Sequence, residues 1–195
     1  MISRVKLEKL YVAQKLSMKE ISDQLDCSVN QVSYWMKKYE IKSRTISEGV
    51  YVKCNPSGDP FKFHKPLTIP DAVLYGLGIG IYWGEGNKAN QHSIRLGNTD
   101  PQLIKLFINF LERIYQIDKS RLQFGLQIFS DISPDVALEF WQELLHAEPK
   151  QFFKVTVTKP RGLGTYRRKI KHGVLTVYFN NKKLRDIICG EIEKL

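Results

Sequence analysis

Residues 74–88 read LYGLGIGIYWGEGNK, with five glycines in a short span, a density that ordinarily argues against a helix. Three of them, Gly76, Gly80 and Gly84, recur every fourth residue and so fall on one helical face. Such a ridge lets the backbone of a second helix approach closely. The apolar remainder, Leu74, Leu77, Ile81, Tyr82 and Trp83, is free to pack on a core. The pattern predicts a helix from Ala72 to Glu85 that ends on an acid. A carboxylate there meets the negative end of the helix dipole and becomes favourable beside a cation. A two-fold related copy would bring a second carboxylate to the same place. The glycines do not form a dinucleotide fingerprint, because Ile81 or Trp83 stands where the third glycine is needed, and no Gly-Lys-Ser/Thr follows for a P-loop.

Outward from this helix the chain alternates helices with strands. Thr99 or Asp100 caps a predicted helix with Pro101 at its first position, burying Leu103, Leu106, Phe107, Phe110, Leu111 and Ile114. Ser133 caps another, Pro134 to Leu145, and a last helix runs from about Lys182 to Lys194. Four segments alternate with period two: Ser93 to Gly97, Arg121 to Phe129, Phe152 to Lys159 and Val174 to Phe179. In the second, Leu122, Phe124, Leu126 and Ile128 oppose Arg121, Gln123 and Gln127. In the third, Phe153, Val155 and Val157 oppose Lys154, Thr156 and Thr158. In the others, Ile94 and Leu96 oppose Ser93 and Arg95, and Leu175, Val177 and Phe179 oppose Thr176 and Tyr178. The expected fold class is α+β, with an antiparallel or mixed sheet covered by helices on one face and open on the other. The open face would carry Arg95, Gln123, Gln127, Lys154 and Thr156 and no acid, groups that hydrogen-bond base edges and phosphates.

The run Gly78-Ile79-Gly80-Ile81-Tyr82-Trp83-Gly84-Glu85-Gly86 resembles the signature helix of the LAGLIDADG homing endonucleases. Asn98-Thr99-Asp100 leading into a long apolar helix, and a late strand running into Asn180-Asn181-Lys182-Lys183-Leu184, resemble that family's layout. The resemblance spans roughly residues 70–195. It implies that this helix is a dimer interface, with Gly80 and Gly84 in the contact, to which the four-residue ridge adds Gly76. It implies that Glu85 binds Mg²⁺ for phosphodiester cleavage. Lys154 or Lys159 is then the candidate to stabilise developing charge near the metal, and the sequence does not choose between them. Glutamate stands where the family usually has aspartate. The strands before the next helix are squeezed into residues 87–98, and the helix at 134–145 reads as an insertion.

At the other end of the chain, residues 16–41 read LSMKEISDQLDCSVNQVSYWMKKYEI. Ser17 and Glu20 make a capping box. Ile21 and Leu25 share a face, Asp26-Cys27-Ser28 turns, and a further helix from Val29 to Tyr39 buries Val29, Val32, Trp35 and Met36. The segment resembles a helix-turn-helix of the resolvase and repressor kind. That likeness places Ser28, Asn30, Gln31, Ser33, Tyr34 and Lys37 outward, towards base edges in a major groove. Lys38, Lys42 and Arg44 would grip phosphates. The expected organisation is a helix-turn-helix domain over 1–45, a linker over 46–69 and the LAGLIDADG-like domain over 70–195. The cluster Asn55-Pro56-Ser57-Gly58-Asp59-Pro60 sets the boundary near residue 60.

The 195 residues carry 30 Lys+Arg against 20 Asp+Glu, a net charge of +10, unevenly spread. Residues 150–185 hold eleven basic groups and no acid. Such a field suits phosphates. Within it, Arg161, Arg167, Arg168, Lys169 and Lys171 lie on an expected hairpin loop, as phosphate contacts. The apolar run Leu74 to Trp83 is too short for a bilayer span, and the first residues lack a signal peptide's apolar core. Three scattered cysteines argue against a disulfide framework or zinc ribbon and for a reducing cytoplasm. The expectation is a sequence-specific protein of double-stranded DNA, homodimeric, with no membrane and no small-molecule substrate. It either cuts both strands with Mg²⁺ or regulates transcription without cutting. A third, more distant reading is an RNA-binding or structural protein.

Overall fold

The computed structural model describes residues 1–159 and 171–194, and these form a mixed α+β protein. The chain divides into two compact units, Met1–Pro60 and Phe61–Leu195.

In the first unit, α1 (Arg4–Leu7) runs on as a wider π-helical stretch over Glu8–Ala13. Helices α2 (Met18–Gln24) and α3 (Val29–Lys38) follow. The Ser17 hydroxyl accepts from the Glu20 N–H at 3.2 Å, and the Glu20 carboxylate accepts from the Ser17 N–H at 2.7 Å. Asp26 turns the chain between α2 and α3 with a left-handed φ of 49°. The Ser28 hydroxyl then caps α3 by accepting from the Gln31 N–H. Ile2, Leu7, Leu10, Tyr11, Ile21, Val32 and Met36 form the core of this unit. Val29, expected inside, is exposed. Trp35 is half-buried and stacks on Tyr39 at 5.6 Å.

Residues 46–69, read above as linker, contain a further helix, α4 (Ile46–Cys54). Thr45 and Glu48 cap it reciprocally, in the same arrangement as Ser17 and Glu20. None of its residues is buried.

The second unit begins its regular structure with α5 (Ile69–Glu85), which starts three residues before the predicted Ala72. Thr68 caps it, and Pro70 lies in its first turn. The Thr68 hydroxyl and the Arg113 guanidinium hold the buried Asp71 carboxyl below the usual carboxylate range. The Arg113 Nε contact, at 2.6 Å, ties α5 to α6 (Pro101–Tyr115). Asp100 caps α6 by accepting from the Gln102 N–H at 2.8 Å. Gly78 is the glycine that lets these two helices meet: a Cβ there would lie 2.1 Å from Phe110 Cγ. Tyr82 stacks on Phe107 at 5.9 Å. Leu103 and Leu106, expected inside, are half-buried.

The sheet has four strands, β1 (Ile94–Asn98), β2 (Gln123–Phe129), β3 (Thr156–Thr158) and β4 (Val174–Phe179), in the order β1-β4-β2-β3. β4 is antiparallel to both of its neighbours, and β3 is parallel to β2. The sheet is therefore mixed. A parallel neighbour needs a crossover, and helix α7 (Pro134–Leu145) lies between β2 and β3 in the chain. Ile94, Leu96, Phe124, Leu126, Ile128, Leu175, Val177 and Phe179 share one core with side chains of α5, α6, α7 and α8 (Lys182–Ile192). Strand β3 departs from expectation. It has three residues, and Phe153, which precedes it, and Val157 within it are exposed at this edge of the sheet. Among the described residues no helix is long and apolar enough to cross a membrane.

Candidate nucleic-acid interface

Period-two alternation in β1, β2 and β4 leaves Arg95, Gly97, Gln123, Gly125, Gln127, Thr176 and Tyr178 opposite the buried face. None of the four strands contains an aspartate or glutamate. Register sets the neighbours across this surface. Tyr178 on central β4 is flanked by Arg95 on β1 and Gln123 on β2, and Thr176 by Gly97 and Gly125. The Tyr178 ring leans over Gly125, where a Cβ would lie 3.0 Å from Tyr178 Cε2. The Arg95 guanidinium carbon stands 5.3 Å from the centre of that ring. Arg95 Nε donates to Ser93 Oγ at 2.8 Å, and Ser93 Oγ is hydrogen-bonded to Asn90 Oδ1 at 3.0 Å. Phe153 meets Tyr178 edge-on at 5.4 Å. Asn180 donates to Gln123 Oε1 at 2.9 Å, and Gln127 donates to Thr158 Oγ1 at 3.1 Å. Thr156, Lys154 and Lys159 are exposed along the β3 edge. The surface is thus polar, cationic at one margin, and partly pre-arranged by its own hydrogen bonds.

In the first unit, α3 exposes Asn30, Gln31, Ser33, Tyr34 and Lys37, and Ser28 at its cap is also exposed. No acid lies in its first turn, and Lys37 and Lys38 complement the dipole in its last. Arg44 is engaged by the protein itself. Its guanidinium donates to the carbonyls of Lys15 and Leu16 and lies 4.1 Å from the Tyr11 ring centre. It fastens the end of the first helical stretch to the segment before α4.

The glycine ridge is open. A Cβ placed on Gly76, Gly80 or Gly84 meets nothing within 4 Å. Leu77 and Trp83 beside it are 47% and 55% exposed rather than packed on the core. The helix stays wound as far as Glu85, which is exposed. The cation that a helix C-terminus favours is present as Lys88, whose ammonium donates to the carbonyls of Trp83 and Gly86. Arg185 on α8 donates in turn to the carbonyls of Lys88 and Asn90 and fixes the loop. Among the described residues no group of three or more His, Cys, Asp or Glu gathers to hold a metal. Glu85 is the carboxylate that the end of α5 offers a divalent ion. Mg²⁺ often takes one or two carboxylates together with substrate phosphates, so Glu85 would fit it in company with substrate phosphates or with the same residue of a second copy. Gly86 bridges to β1, while Lys154 and Lys159 flank β3 at the far edge of the sheet. Four strand spacings, on the order of 19 Å, separate them, so one chain does not bring these lysines to Glu85.

Arg161, Arg167, Arg168 and Lys169 lie outside the described residues, and Lys171 is exposed. Sequence reasoning missed the grouping of Arg95, Tyr178 and Phe153. The alternation placed Arg95 and Tyr178 on the open face, but only the β1–β4 register makes them neighbours. Comparison with protein-family models, curated proteins and solved structures yields no match for this chain.

Proposed function

We propose that this chain is a sequence-specific double-stranded-DNA-binding protein of the LAGLIDADG homing-endonuclease type, with a helix-turn-helix in its first unit. The reading rests above all on the acid-free open sheet face, where Arg95, Gln123, Gln127, Thr176 and Tyr178 stand together. Arginine and glutamine are side chains that pair bidentately with base edges in the major groove. The exposed Asn30, Gln31 and Lys37 of α3 supply a second such surface. Pairing through the Gly76, Gly80 and Gly84 ridge would bury Leu77 and Trp83, which the described chain leaves half exposed. The protein would act in the cytoplasm, on the nucleoid.

The test is competition between duplex DNA and single-stranded RNA for the full chain, repeated across salt concentrations. Duplex is expected to win, with affinity falling steeply as salt rises. A preference for single-stranded RNA overturns the reading. Gly80→Leu, whose side chain points into open space within one chain, is expected to fold and to sediment as a monomer where the native protein is a dimer. An unchanged dimer removes the ridge from the interface.

Two modes of action remain within this reading. In the first, Glu85 from each subunit holds Mg²⁺, which when bound would activate water at the scissile phosphate. In the second, the protein regulates without cutting. Lys88 favours the second, because it already answers the dipole at the end of α5 with a cation of the chain itself. Incubation with a plasmid library and Mg²⁺ decides between them. Specific double-strand cuts abolished by Glu85→Gln establish the nuclease, and binding without cuts establishes the regulator.

A further inference from the structure

We propose that Arg95 reads a guanine, as the main specificity-determining residue of the open sheet face, and that Tyr178 positions it. The inference rests on the duplex-DNA reading above and names what one side chain of that surface recognises.

Arg95 is the one arginine that lies in a strand among the described residues. Among the described residues, most of the other guanidinium groups are committed to the protein. Arg4 pairs with Glu8, Arg113 with Asp71, Arg44 with two carbonyls, and Arg185 with Asp186 and two carbonyls. Arg95 differs in which of its nitrogens is engaged. Among the described residues only the inner Nε is tied down, to Ser93 Oγ at 2.8 Å, and Ser93 is itself held by Asn90. The Tyr178 ring, 5.3 Å away, supports the guanidinium, and that ring is braced by Phe153 on its edge and seated over Gly125. The two terminal nitrogens are thereby presented together, as a fork whose direction is fixed before any ligand arrives.

A pre-set planar fork matches the paired O6 and N7 acceptors of guanine in the major groove. A phosphate needs no such orientation and is served as well by a lysine. Freezing the arginine in advance also reduces the rotamer entropy lost on binding. No strand of the sheet carries a carboxylate that would compete for the fork.

The experiment is selection of duplex sites from a random-sequence library by the 195-residue chain and by four variants. All are first checked for native circular dichroism and melting. The native chain is expected to enrich sites with an invariant guanine. Arg95→Lys keeps the charge but loses the fork. It is expected to relax that one position by roughly tenfold or more, with the other positions and the salt dependence retained. Tyr178→Phe, which keeps the ring, should preserve the guanine preference, and Tyr178→Leu should weaken it. If Arg95→Lys leaves every position unchanged, or Arg95→Ala weakens all sequences equally and lowers the salt slope by about one, Arg95 is structural or a phosphate contact and the inference fails, with the DNA-binding function intact. If Tyr178→Leu retains the full preference, the positioning role fails. If the native chain selects no duplex at all, the functional reading fails and this inference with it.

Discussion

Gly78 and Gly80 stand two residues apart in one helix and face opposite surroundings. A methyl group on Gly78 would collide with the Phe110 ring, whereas one on Gly80 would enter open space. Gly78→Ala is therefore expected to destabilise the second unit by about 1–3 kcal/mol through overpacking. Gly80→Ala, measured at concentrations low enough to keep the chain monomeric, is expected to stabilise α5 by about 0.5–1 kcal/mol. Urea unfolding of the two variants checks both signs. The sequence displays the four-residue spacing of Gly76, Gly80 and Gly84, so the ridge is legible. The close-packed glycine is not, because its partner Phe110 belongs to another helix and nothing local marks it. Lys88 is similar: a lysine three residues beyond Glu85 is visible in the sequence, but its fold back onto the Trp83 carbonyl depends on the loop that Arg185 holds.

At the scale of elements, α4 shows that a local signal can be sufficient and still be overlooked. Thr45-Ile46-Ser47-Glu48 is a capping box as clear as Ser17-Met18-Lys19-Glu20. It was obscured by the turn-forming residues that follow and by the weak amphipathic pattern of a helix that buries nothing. Because α4 leans on its cap rather than on a core, Thr45→Ala should cost about 1 kcal/mol of local helix stability. Amide exchange over Ile46–Cys54 should accelerate, with little change in the unfolding midpoint of the first unit's core. A drop in that midpoint would mean that α4 is packed more firmly than its exposure indicates. The β3 strand illustrates the reverse error. Phe153, Val155 and Val157 alternate as a half-buried strand does, yet Val157 is 52% exposed. Alternation does not tell an edge from a centre, and the α7 crossover makes this edge parallel. The strands β1, β2 and β4, paired more extensively, follow their periodicity closely, which is why the open face was legible residue by residue and its cation–ring contact was not.

Across the whole molecule, the second unit's core holds phenols that resist ionisation. Burial pushes the Tyr82 hydroxyl up to about 12, and burial with the Glu191 hydrogen bond does the same for Tyr75. Tyr115 is raised further still by its burial. A group whose folded value lies above its unfolded value contributes stability below the unfolded value and loses it as pH climbs to the folded one. Urea midpoints for the second unit should therefore hold up to about pH 10 and fall between about 10 and 12. Phenolate absorbance should rise together with unfolding. Ionisation of all tyrosines without loss of structure would show that these rings are more open to water than their packing indicates. The clasp of Arg185 on the Lys88 and Asn90 carbonyls has a consequence of another kind. The ribosome delivers α8 after every strand of the sheet has been made, so in a nascent chain the turn beyond Glu85 stays unfastened until α8 has followed them. The tip of the ridge therefore reaches its final shape only once α8 has docked, later than the strands on which it rests.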